Sequence, residues 1–175
     1  MGTIFVTDPV TGSGRYLMAS QWHSLVSRKI YLARTLLAQR DEAESVPLQE
    51  ALWQGAVELA LRSRKLLLIM VTRFYQDRQS EPGTLEEIRV QLGENTPEIA
   101  ELEALARGTS NWWTHLNQLE YYQARPPTPK KTVSDGNIIA VAVDNGPDRS
   151  SKALIRTLAD LKNFTDALEE RHSEW

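Results

Sequence analysis

The chain has 175 residues, 41% of them hydrophobic and 25% charged, with a formal net charge of -3 and no cysteine. That length buries a core without metal or disulfide staples, and the missing cysteine excludes thiolate metal sites and a cysteine nucleophile. The slight acidity argues against a main role in coating nucleic acid or an anionic membrane, while leaving room for a local basic patch.

Residues 1–19 read as an extended arm. Ile4, Phe5 and Val6 suit a short strand, and Asp8-Pro9 and Thr11-Gly12-Ser13-Gly14 are turn chemistry. Met1 to Val10 has no basic flank, unlike a signal peptide. The first helix is expected to start near Ser20 and to end around Asp41 to Glu44. Its apolar residues Trp22, Leu25, Val26, Ile30, Ala33, Leu36 and Leu37 recur at helical spacing.

Ser45 suits an N-cap, with Pro47 in the first turn of the next helix, where its missing N–H does no harm. From Pro47 to Tyr75 the pattern is apolar over far more than one face. Leu52, Ala56, Leu59, Leu66, Leu67, Met70 and Phe74 gather around Ser63, and Val57, Leu61, Leu68 and Tyr75 form a second stripe. Gln54, Glu58, Arg62, Lys65 and Thr72 make a narrow polar strip, so this segment is expected to be a central helix packed on several sides. Its longest apolar run, Leu66 to Val71, is far short of the ~20 residues that span a bilayer.

Pro82-Gly83 ends that region. Thr84 and Glu87 form a capping box for a short helix over 85–92, which Gly93 stops. Thr96-Pro97 opens another, with Ile99, Leu102 and Leu105 on one side and Gly108 at its end. Ser110 is the expected cap of a helix carrying Trp112, Trp113, Leu116, Leu119 and Tyr122. Pro126, Pro127 and Pro129 then break the helical pattern. The β-branched run Ile138 to Val143 reads as a strand able to pair with Thr3–Val6, or with another chain. The last helix, over about 150–172, carries Leu154, Leu158, Leu161, Thr165 and Leu168 in a heptad rhythm.

The expectation is an all-α helical bundle of three long and about three short helices, with a minor two-stranded β element. An arm (1–19) precedes the bundle core (20–124), a Pro-rich linker (125–149) and a C-terminal helix (150–175). Ser27-Arg28-Lys29-Ile30-Tyr31-Leu32-Ala33-Arg34, Pro97 to Leu102 through Trp112 and Trp113, and the terminal Ser173-Glu174-Trp175 carry a resemblance to a family of small helical proteins from gamma-proteobacteria. The chain differs from that pattern in its arm, in Ile138–Val143, and in Arg62, Arg64 and Lys65. The family has no assigned activity, so the resemblance implies a fold and a bacterial source and no reaction.

No catalytic or metal-binding set emerges, and no cofactor is expected. Glu169 and His172 have Glu-x-x-His spacing, but a di-iron bundle needs two such pairs and two further glutamates. Residues 84–105 resemble a helix-turn-helix, yet the would-be recognition helix carries Glu98, Glu101 and Glu103, which repel phosphate. Arg62, Lys65 and Arg73 are expected to face water. Arg64 falls on the apolar arc: either its stem packs inside while its head reaches out, or it pairs with Glu120 or Asp160. An anion pocket would join Arg64 to Arg28 or Arg34. Trp112 points away from Trp113 and is expected at a rim, where a tryptophan can cover a loop or anchor an interface. The leading expectation is a cytoplasmic, non-catalytic interaction or scaffold protein with a protein partner or second copy, using the last helix and the aromatic rim. The alternative is an anion, nucleotide or nucleic-acid binder on the basic faces of the first two long helices.

Overall fold

A computed structural model describes residues 13–126 and 146–173, with side chains from Ser20 onward. Six helices follow in order: α1 (Ser13–Glu42), α2 (Val46–Phe74), α3 (Leu85–Leu92), α4 (Pro97–Arg107), α5 (Trp112–Gln123) and α6 (Ser151–Ser173). The strand runs expected at Ile4–Val6 and Ile138–Val143 lie outside the described residues, as do most of the linker and the terminal Glu174-Trp175; among the described residues there is no strand.

α1 begins earlier than the expected Ser20. Arg15, Leu17, Met18 and Ala19 are strong helix formers. Gly14 falls in the first turn, where the helix N–H groups lack partners anyway. Val26, Ile30, Ala33 and Leu37 are buried, turned toward α2 and α6. A Cβ on Gly55 of α2 would sit 3.1 Å from Leu36 Cδ1, so this glycine lets the two long helices approach closely.

α2 is the spine. Ser45 caps it by accepting the Leu48 N–H, and the helix packs on α1, α3, α5 and α6. Every residue from Leu66 to Arg73 is buried, all the way round the helix. Ser63 is buried too, and donates its hydroxyl to the Leu59 carbonyl at 2.8 Å.

The short helices follow local signals. Thr84 Oγ1 accepts the Glu87 N–H, while the Glu87 carboxylate reaches back to the Gly83 N–H rather than to Thr84. α5 is capped by Asn111, not Ser110: its Oδ1 accepts the Thr114 N–H and its amide donates to the Leu105 carbonyl. That second bond ties α4 to α5, which a serine hydroxyl is too short to do. Leu154, Leu158, Leu161, Thr165 and Leu168 of α6 face the core and are all fully buried. The start of α6 is anchored where α1 turns into α2. Ser151 donates to Asp41, Arg149 pairs with Glu50, and Arg40 lies over the Trp53 ring.

Candidate functional site

Arg64 leaves α2 toward α5. Its guanidinium donates to Asn117 Oδ1 and Glu120 Oε2, both at 2.6 Å, and lies over the Trp113 ring at 5.2 Å. The side chain is 12% exposed. Glu120 is thus the partner and Asp160, exposed on α6, is not. A guanidinium leaving water needs such a carboxylate, and its planar face suits an indole. Beside it lies a recess of about 400 Å³, lined by residues that include Glu58, Arg62, Lys65 and Glu120.

Arg28 and Arg34 are exposed on α1 and do not line that recess. The structure therefore does not assemble the anion pocket that joined Arg64 to α1. It places Arg28 and Arg34 instead on an outward face with Leu25, Tyr31 and Leu32, all exposed. From residue 13 to residue 40 the sequence holds five basic and no acidic side chains.

Three expectations fail on burial, the simplest being Thr72 of the expected polar strip, which is fully buried and donates its hydroxyl to the Ile69 carbonyl. Trp112 is not at a rim: it is 4% exposed, set against Phe164 of α6 at 5.6 Å between ring centres and edge-on to Trp113 at 5.5 Å. Adjacent tryptophans do diverge, but the start of α5 is flanked by α2 on one side and α6 on the other, so both directions lead inward. Arg73 does not face water either. It is buried, donates to the Asp77 and Ser80 carbonyls and lies over the Trp22 ring at 5.1 Å. The chain beyond α2 folds back over it, supplying acceptors where helical periodicity had placed solvent.

The three histidines each bridge two helices. His23 of α1 meets Asp166 of α6 at 2.7 Å. His115 of α5 contacts Thr157 of α6 and donates through Nε2 to the Asp148 carbonyl. His172 of α6 meets Glu98 of α4 at 2.9 Å and stacks on Phe74 of α2, ring centres 4.0 Å apart.

Glu98 is the site that sequence reasoning missed. Noted only as one of three acidic residues that repel phosphate, it is buried, and it accepts the Tyr75 hydroxyl at 2.6 Å as well as His172. Burial pushes its pKa up, but the hydrogen bonds from Tyr75 and His172 more than reverse this and hold it below the usual carboxylate value. Its place in the first turn of α4 favours the anion too. Burial, then the bond to Glu98, push the Tyr75 hydroxyl well above its usual range. Nearby, Glu169 has one buried oxygen with no hydrogen-bond partner, and burial raises its pKa. Among the described residues no group of three or more His, Asp or Glu side chains is placed to hold a metal ion. No helix of the described residues is long and apolar enough to cross a membrane.

This chain belongs to a family of unknown function (DUF6586), whose profile matches residues 18–175. No curated protein and no solved structure matches it.

Proposed function

We propose that this is a non-catalytic protein-interaction module that docks a partner on the outward face of α1. The observation that carries the reading is the mixed character of that face. Leu25 and Leu32 flank Arg28 along one stripe, with Tyr31, 68% exposed, and Arg34 beside it. Apolar anchors among charges of a single sign suit an acidic, amphipathic segment, which they steer electrostatically and hold by apolar contact. The last helix and the tryptophans, the surfaces first expected to serve, bury their apolar groups inside the bundle. The bacterial, cytoplasmic setting expected from the sequence goes with this reading.

A photo-reactive phenylalanine analogue in place of Tyr31, activated in the producing cells, tests it. The expected result is one discrete adduct, absent when Arg28→Glu and Arg34→Glu are introduced together. No adduct at position 31, or adducts formed equally from a control position on α6, contradicts the reading.

A second reading is small-anion binding in the Arg64 recess. Arg62, Arg64 and Lys65 favour it, and Glu58 and Glu120 in the same lining weaken it. Phosphate at about millimolar concentration should then raise the melting temperature through the mass-action term, and Arg64→Ala should abolish the rise. No shift removes this reading.

A further inference from the structure

We propose that the α1 face is occupied by a second copy of the chain, which presents the outward face of its α3. The inference rests on the docking role assigned to α1 and adds the identity of the partner. α3 carries the complement on its own surface. Glu86, Glu87, Val90 and Gln91 point outward, and Glu94 follows at its end. Val90 is 76% exposed, an apolar group among acids where α1 shows leucines among bases. Arg89 pairs with both Glu86 and Glu94, so the patch is acidic by three carboxylates against one guanidinium.

The placement of the two patches allows both to be used at once. Trp22 of α1 lies against Arg73 at the end of α2, and α3 follows α2 and packs on it. The stretch from Leu25 to Leu32 begins about one helical turn beyond Trp22. Leu36 of α1 meets Gly55, and Gly83, just ahead of α3, lies beside Lys65, so both patches flank the middle stretch of α2. A two-fold pairing can then set α1 of each copy against α3 of the other, and a symmetric closed pair is the commonest outcome for a self-complementary surface. An eight-residue helix offers little area, so the pairing is weak, concentration-dependent and salt-sensitive.

Sedimentation of the purified full chain tests this in low and high salt, about 0.05 M and about 0.5 M, across which the Debye length shrinks several-fold. The expected result is a monomer–dimer equilibrium at low salt that weakens about tenfold or more at high salt. One variant carries Arg28→Glu and Arg34→Glu, and a second carries Glu86→Lys and Glu94→Lys. Each should be monomeric alone, because like charges then face each other in both contacts. Mixed one to one, the two should form a dimer, since both contacts are again of opposite sign. All four positions are exposed or half-exposed, and unchanged helical circular dichroism verifies that each variant folds.

A wild type that stays monomeric at low salt overturns the inference, as does a dimer that either variant leaves intact, or a variant mixture that does not associate. An adduct from position 31 to a different protein, with the purified chain monomeric, overturns this inference and leaves the docking role of α1 standing.

Discussion

A carboxylate that leaves water needs partners, and Glu98 has them from two sides. Its folded pKa lies below the ordinary 4.5. It therefore adds stability above that value and loses it as pH falls through the folded pKa. Tyr75→Phe removes one donor, and should cost about 1–2 kcal/mol at neutral pH, since bonds to charged groups exceed neutral ones. The variant's loss of stability on acidification should also be shallower, which urea unfolding at several pH values measures. Glu169 works in the opposite sense. Its folded pKa is raised above 4.5, so its contribution is favourable below that value and is lost as pH rises through the folded pKa. Glu169→Gln should raise the melting temperature at pH 7 by up to about 3 °C, roughly what 1 kcal/mol yields in a chain of this size. At about pH 4, where the native group is largely neutral, the gain should vanish. The two glutamates are alike in a sequence. What separates them is which helix arrives beside each, and helical periodicity carries no such record. Arg64 was partly legible: its position on an apolar arc left a head reaching out to water or a carboxylate partner, and Glu120 was one of the two candidates for the second.

Among the helices, the ends were the most readable parts. Ser45, Thr84, Gly93, Pro97 and Gly108 act locally, through backbone groups within a turn of themselves, and they lie where expected. The start of α1 and the cap of α5 were misplaced for related reasons. Strong helix formers carry α1 back through a stretch whose glycines signalled a turn, and Asn111 wins over Ser110 through a bond to α4 that is not local. The heptad of α6 was legible as a pattern, but its partner was not: the same spacing serves a coiled coil and a bundle core. The bundle takes it. Leu161→Ala should therefore cost about 2–5 kcal/mol by leaving a cavity, with the self-association constant unchanged. Leu32→Ser on the exposed side of α1 should do the reverse, with little change in urea midpoint and weaker association. If Leu161→Ala abolishes association while leaving stability intact, α6 and not α1 carries the interface.

At the scale of the molecule, one helix organises the others. α2 packs on α1, α3, α5 and α6, and it sends Arg64 toward α5 and Arg73 into the turn that precedes α3. Its two flanking long helices have different fates. α6 turns its leucines inward, whereas α1 keeps a basic, leucine-bearing side outward. The all-round apolar pattern of residues 47–75 revealed the first of these facts, since only a helix enclosed on several sides can afford it. It could not reveal the second, because α1 and α6 show similar apolar spacing and only the packed fold distinguishes the covered face from the free one. Native-state amide hydrogen exchange tests the central position of α2 most directly. The amides of Leu66 to Arg73 should exchange slowest in the molecule, with an opening free energy equal to that of global unfolding. Exchange of this stretch faster than that of α1 or α6, through local opening, would contradict it.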